Sequence, residues 1–563
     1  MIGKNLTGFS NDWKKNSTVW KNFSTLWKIF STHWKNPFTH RNPEEPAAAD
    51  RGDAESGGRW WLWGVWVAAW GVWIWAGFRV MSYATGQDSL TYFSWAKRFI
   101  ADGFSAESIA ACGTHFVPGF PLLLAALLKS GVGFGVYWVN VVLMGGVLGV
   151  AAWGMRRVGG AGPAALGVAG MTGACLAGYA LNAHFVLLPF RGAVQWLFLF
   201  GGVVAALPAF DPGRTRRRRW GWALLAGTLL LVGTGFRETA GFAFVPLSVM
   251  GLWGAAKRRR GAWAVLGGLW APVVMCGVVA GAVWMCSGGA EAGMPRLMNG
   301  QVRLWLSTAG KGVLILGWLP RILQTLGDEL TWVGVIGLVV GICAAARRGG
   351  RMAGALVGSA GMMVLLYSWY RSLHMRYVLE VLGPLALVSG WGIGMGVSAA
   401  ARRWRWSAGV RRAVYATVAA GMLAWGGFAV TDMGSWGPRV SRAELRALAA
   451  SPAMQGAEVW VDRDCRFLVE AIAIWTKANP RDPRADGVEA VGEGAYFVRA
   501  LDERAWYRPA RTGSAEELLR ERWQLKSVGS LTLGGCAFEV LRAAPKEAAE
   551  TDGAARLQGA GGV

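Results

Sequence analysis

The chain has 563 residues, of which 53% are hydrophobic and only 16% charged, and it carries 34 tryptophans. A water-soluble fold could not hide that much apolar surface, whereas a bilayer accommodates it when the apolar residues come in runs of about 20. The formal net charge of +24 would suit nucleic acid, but the basic residues fall in short clusters between apolar runs and do not interleave with aromatics on a soluble domain, so no nucleic-acid partner is expected.

Residues 1–58 differ from the rest. Trp13, Trp20, Trp27 and Trp34 recur every seven residues, each followed by Lys. On a helix this spacing makes one stripe, which reads either as an interfacial helix or as a tandem repeat without structural consequence. The segment is taken as a low-complexity, disordered, cytoplasmic N-terminus that ends in a polar linker.

From residue 60 the apolar runs predict helices near 60–80, 136–155, 162–182, 188–208, 220–236, 238–256, 262–286, 328–346, 353–370, 376–400 and 412–431. Loop charge tests that set. With about eleven spans and an inside N-terminus, the clusters Arg156–Arg157, Arg214–Arg219, Lys257–Arg260, Arg347–Arg351 and Arg402–Arg412 all fall on the cytoplasmic side. The membrane domain is thus expected over 59–431, in a bacterial inner membrane.

Two extracytoplasmic loops are long, 81–135 and 287–327. In the first, Tyr92–Ile100 and Leu122–Leu128 read as amphipathic surface helices. In the second, Gly312–Leu323 is too short to span and reads as an interfacial or re-entrant piece. Beyond residue 432 hydropathy falls. Strands are expected at 458–462 and 495–500, helices at 466–477 and 514–523, and a terminal hairpin over 529–542 with Gly534-Gly535 at its turn. This is a small periplasmic α/β domain over 432–545, followed by a disordered tail over 546–563. Cys465 and Cys536 share it, and outside the cytoplasm a disulfide between them is one option.

Four polar groups fall on the extracytoplasmic side. Asp88, just after the first span, stands on one helical face with Tyr92 and Trp95; it is either a general base toward a hydroxyl or a helix N-cap. His374 and Arg376, with Tyr377 beside them and Glu380 just after, oppose the positive-inside pattern, as an anionic ligand such as phosphate would require. Arg237-Glu238 sits in a turn between two weak spans, either as a self-neutralising pair or as a phosphate- or sugar-binding group. Asn182, His184, Arg191 and Gln195 form a weaker fourth group.

These segments resemble a known family. GQDSLTYFSWAKRFIADGFS followed by THFVPGFPLLLAAL is similar to the first extracytoplasmic loop of GT-C glycosyltransferases, the polytopic enzymes of polyprenyl-phosphate sugars that include protein O-mannosyltransferases and lipid A aminoarabinose transferases. HMRYVLEVLGPLAL is similar to the family's late element, and GTGFRETAGFAFVPL to its mid-chain arginine turn. Where members often carry paired acids, this chain has Gln87-Asp88, and near the fourth span Arg191 stands in place of a second acid.

The resemblance implies an all-α GT-C-like membrane domain with a small extracytoplasmic α/β domain. It implies transfer of a sugar from a polyprenyl-phosphate donor to a lipid, glycan or protein hydroxyl. Asp88 would be the base; Arg376, Arg237 and His374 would bind the donor phosphate; Tyr92, Glu238, Tyr377 and Arg191 would line the substrate. No cofactor is required, and no ligand spacing supports a divalent metal. The competing readings are a surface-glycan polymerase or ligase, a transporter, and a non-catalytic scaffold.

Overall fold

The computed structural model describes residues 55–80, 87–113, 117–177, 192–257, 261–286, 319–348, 350–368, 375–431, 440–456, 458–462, 465–501 and 515–546. The tryptophan repeat, the Gly312–Trp318 part of the second long loop, and positions 182, 184, 191 and 374 lie outside them.

The membrane part is built from α1 (Glu55–Val80), α5 (Val139–Gly159), α6 (Ala161–Ala177), α7 (Gly192–Ala206), α8 (Arg216–Phe236), α9 (Phe244–Ala256), α10 (Ala262–Cys286), α11 (Leu319–Arg348), α12 (Arg351–Ser368), α13 (Met375–Arg403) and α14 (Ala408–Thr431). Between α1 and α5 lie three short helices, α2 (Gln87–Ala101), α3 (Ala106–Gly113) and α4 (Gly119–Lys129). Among the described residues nine helices are long and apolar enough to span a bilayer. The two remaining expected spans are also helices. α6 is the shorter apolar one, and α8 opens on four arginines, which lowers its hydropathy.

The basic clusters share one end of the bundle. Arg351, at the start of α12, donates to the Phe210 carbonyl at the end of α7 (2.7 Å), and Tyr415 on α14 donates to the Gly394 carbonyl near the end of α13 (2.9 Å). At the other end, Arg79 in the last turn of α1 donates to the Thr431 carbonyl (3.1 Å).

α13 is the most buried of the spanning helices, and it packs most extensively on α11 and α6. Lipid gives helices no hydrophobic reason to associate, so close backbone approach through small residues has to supply the contact. A Cβ on Gly392 would collide with the Gly337 carbonyl of α11, and one on Gly390 with the Leu166 carbonyl of α6. Non-helical Thr331 (φ 59°, ψ 167°) divides α11 into two helical pieces: the later one, 332–348, corresponds to the span expected at 328–346, and Leu319–Leu323, expected within an interfacial or re-entrant piece, is helical at the start of the earlier one.

The C-terminal part is a five-stranded sheet of order β2-β1-β3-β5-β4, with α15 (Arg442–Ala450), β1 (Glu458–Val461), α16 (Arg466–Trp475), β2 (Asn479–Arg481), α17 (Pro483–Asp486), β3 (Tyr496–Ala500), α18 (Ala515–Arg522), β4 (Trp523–Leu533) and β5 (Cys536–Pro545). β1 runs parallel to β2 and β3, while β5 is antiparallel to β3 and β4. Gly534 and Gly535 at the hairpin turn both have positive φ (57° and 75°), the requirement of a tight primed turn. Cys465 and Cys536 are buried here as thiols and form no disulfide.

This sheet domain docks on the first loop through the end of α16. Trp475 stacks on Tyr137 (centroids 5.3 Å), Ile474 joins the buried cluster of Tyr92, Phe93, Phe99 and Phe120, and the Lys97 ammonium of α2 donates to the Thr476 carbonyl (2.6 Å). The docked domain therefore clamps the helix that begins at Gln87.

Two outcomes follow. Gly392→Leu should cost more than about 3 kcal/mol, because backbone rather than a yielding side chain blocks it; thermal unfolding in detergent against Gly396→Leu, where space is open, checks this. Burial pushes the Lys97 ammonium down to about 8. The undocked lysine then holds more protons than the docked one above that value, so the penalty is complete below pH 8 and relieved as pH rises toward the ordinary 10.5. Docking should tighten over that window in the wild type and stay flatter in Lys97→Met, as read by unfolding temperature against pH.

Candidate active site

At the bundle end opposite the basic clusters, four helices bring polar groups together around one carboxylate. Glu380, in the second turn of α13, is 5% exposed and flanked by Leu379 and Val381. A carboxylate there stays charged only if it is paired and hydrogen-bonded. It is both. Arg237 forms an ion pair with it, Tyr367 from the end of α12 donates to Oε2 (2.6 Å), and the Thr239 hydroxyl donates to the same oxygen (3.0 Å). Gln195 of α7 donates to Thr239 Oγ1 in turn (2.7 Å).

The local chain explains the placement. α8 ends at Phe236, and Arg237 leaves it in extended conformation (φ −157°, ψ 129°) before a 3-10 turn over Glu238–Ala243. That break carries the guanidinium inward, while Thr239 is buried and Glu238 is exposed. The reading of Arg237-Glu238 as a self-neutralising pair is thereby corrected: the ion pair of Arg237 is with Glu380, 143 positions away in sequence and one helix away in space. The Trp196 indole fixes α7 against the same turn of α13 by donating to the Glu380 carbonyl (3.3 Å).

Aromatic rings wall the pair. Tyr377 stacks on Tyr367 (centroids 4.9 Å), and the Arg237 guanidinium lies 5.6 Å from the Tyr377 ring centroid. Tyr92 of α2, buried against Phe120 (5.4 Å), is near enough to be among the groups that act electrostatically on Arg237, with Glu380, Tyr367 and Glu238. The first loop and the arginine turn thus meet.

Of the residues singled out in the sequence, Tyr92, Arg237 and Tyr377 are brought together. Glu238 faces outward beside them. Position 88 lies in the first turn of α2, four residues before Tyr92 and so on the same face, and position 376 precedes Tyr377 in α13. Tyr367, Thr239 and Gln195 were not singled out with this carboxylate. Their signal was Glu380 itself, since an ionisable residue in an apolar helix announces a partner without naming it.

Chemically, Glu380 is taken up by its donors Arg237, Tyr367 and Thr239 and is suited to hold Arg237 in place. Arg237 is the oriented group. Its Nε is buried and has no hydrogen-bond partner among the described residues. Among the described residues no three His, Cys, Asp or Glu side chains gather as a metal-binding group would.

The chain is a multi-pass membrane protein with a GT-C-like fold. Over 86% of its length it superposes on 98% of ArnT from Cupriavidus metallidurans in the apo state, with a TM-score of 0.52 and 14% identity. The same enzyme bound to undecaprenyl phosphate matches over the same shares, at TM-score 0.49 and 14% identity. The archaeal oligosaccharyltransferase AglB of Archaeoglobus fulgidus, in complex with an inhibitory peptide and a dolichol-phosphate, matches at TM-score 0.45 and 12% identity, over 77% of this chain and 66% of that one. No family model matches the sequence, and no curated protein does.

Truncating one member of a buried ion pair leaves the other uncompensated. Arg237→Met and Glu380→Met should each destabilise by about 3–5 kcal/mol, and the double variant should regain much of that loss. A double-mutant cycle of unfolding temperatures measures the coupling; additive losses would show that the two charges do not sustain each other.

Proposed function

We propose that this chain is a membrane glycosyltransferase that moves a sugar from a polyprenyl-phosphate donor to a hydroxyl acceptor on a lipid, glycan or protein. The observation that carries the reading is the arginine held by a buried carboxylate beside the first loop, within a GT-C-like fold. The working face is the extracytoplasmic one of a bacterial inner membrane, because the basic clusters at the other end fit the cytoplasm. The sheet domain then stands in the periplasm.

In this reading the acceptor hydroxyl loses its proton to Asp88 as its oxygen attacks the anomeric carbon. The bond from that carbon to the phosphate oxygen breaks, and polyprenyl phosphate leaves with the electron pair. Arg237 supplies directed hydrogen bonds to the phosphate, while Arg376 and His374 supply the net positive charge that a departing anion requires. Tyr92, Tyr377, Glu238 and Arg191 line the sugar and acceptor. A base carried on α2 depends on the hold that the docked domain has on that helix through Lys97, because small errors in its distance to the acceptor are costly to rate.

Asp88→Asn should leave the protein folded and lower transfer from a polyprenyl-phosphate sugar by at least a hundredfold. The measurement is radiolabelled sugar transfer in membranes, together with mass spectrometry of envelope glycans and lipids with and without the gene. Undiminished transfer by the variant would remove Asp88 from the role. An envelope with no glycan or lipid altered by loss of the gene would favour transport or scaffolding.

A further inference from the structure

The carboxylate that holds Arg237 is itself held by a short chain of side chains, and the far end of that chain is Gln195. Glutamine is a costly residue at this place. Its neighbours in α7, Ala193, Val194 and Trp196, are apolar and buried, and Gln195 is fully buried with them (0% exposed). Polar side chains at membrane depth need a reason to be kept. Here the cost is only half offset. Nε2 donates to Thr239 Oγ1 (2.7 Å), while Oε1 is buried with no hydrogen-bond partner among the described residues. An orphaned buried acceptor is destabilising, and methionine, of nearly the same length, would fill the space without one. Stability does not account for the amide.

The protons along the chain show what the amide supplies. Glu380 is the ion-pair partner of Arg237, and an ionised carboxylate only accepts. The single proton of the Thr239 hydroxyl therefore goes to Glu380 Oε2 (3.0 Å), and Thr239 turns a lone pair toward α7. Only a donor satisfies a lone pair, so the amide has to present Nε2, and the orphaned Oε1 follows from that orientation. Gln195 thereby fixes the direction of the Thr239 proton. Without this donor the hydroxyl is no longer held to one rotamer, and Oε2 keeps Tyr367 (2.6 Å) as its steady hydroxyl donor. The next residue of α7, Trp196, donates to the Glu380 carbonyl (3.3 Å), so α7 bears on both the side chain and the backbone of Glu380.

We propose that Gln195 is a positioning residue for the arginine of the site: by donating to Thr239 it keeps the Thr239 proton on Glu380, and so keeps Arg237 at the angle from which it grips the donor phosphate. Hydrogen bonds in series polarise one another, so the amide also strengthens the bond that follows it. The grip on phosphate rests on the glycosyl-transfer reading; the hold on Arg237 rests on the hydrogen bonds alone.

The test compares the full chain in detergent with Gln195→Met, Thr239→Val and the double variant. Each is read by unfolding temperature, by binding of farnesyl phosphate as a short polyprenyl phosphate, and by transfer from a polyprenyl-phosphate sugar. Gln195→Met should match or exceed the wild-type unfolding temperature, because the orphaned acceptor goes with the donor. It should nevertheless weaken farnesyl phosphate binding about tenfold and raise the KM for the sugar donor by the same factor. Thr239→Val should lose at least as much, and adding Gln195→Met to it should lose nothing further, since the amide acts only through that hydroxyl. Wild-type binding by Gln195→Met, additive losses in the double variant, or a drop in unfolding temperature that accompanies the loss of binding would overturn the proposal. The same pattern of binding losses in a chain that transfers no sugar would overturn the glycosyl-transfer reading and leave the positioning role standing. A wild-type chain that does not bind farnesyl phosphate would overturn both.

Discussion

A carboxylate inside an apolar helix is the constraint on which this end of the molecule depends. Glu380 lies in the run Val378–Leu382, where an ionised side chain cannot be left without partners. Three donors from two separate segments satisfy it: Arg237 and Thr239 at the 3-10 turn after α8, and Tyr367 at the end of α12. Each has to arrive at one point, which fixes where α8 must stop and how α12 and α13 must face each other. An ion pair of this kind adds little stability over a well-packed apolar alternative. What it supplies is position: Arg237 is held at a set angle beside Tyr377, and the first loop reaches it through Tyr92.

That position is transmitted by α13. Its glycines meet carbonyls of α6 and α11 on opposite sides, so the helix is locked from both directions without bulky side chains. Close backbone contact tolerates little sliding, because any register shift would bring a Cβ against a carbonyl. The carboxylate is thus carried on the most buried of the spanning helices. The first loop is held differently, from outside, by the aromatic and lysine contacts of α16.

Much of the fold was legible because the signals were local. Runs of apolar residues marked the spans, and clustered arginines marked which ends belonged together. Gly534-Gly535 marked the hairpin that joins β4 to β5. Other features were local but passed over: Ser441 and Glu444 form a capping box at the start of α15, a pattern readable as S-x-x-E. The site was legible in halves. Arg237, Tyr92 and Tyr377 stood out as polar residues near membrane ends, but their meeting is a tertiary fact. Pairing of Arg237 with Glu380 rather than the adjacent Glu238 could not be read from neighbourhood, since the break after Phe236 sends successive side chains in different directions. Asn479–Arg481 was missed as a strand because three residues containing a proline give no alternation to detect.

The two arginines at the ends of α8 show how the same side chain takes different roles according to what surrounds it. Arg237 is neutralised by the protein's own carboxylate, so it cannot draw an anion by net charge, and its contribution to binding one is directional. For a phosphate to be held there, the charge has to come from elsewhere. In the proposed reading that charge comes from Arg376, which directly precedes Tyr377 in sequence. Arg219, near the start of α8, is held differently: its Nε donates to the Ala209 carbonyl. One end of the helix therefore fixes its arginine through a carboxylate from another helix and the other through a backbone carbonyl.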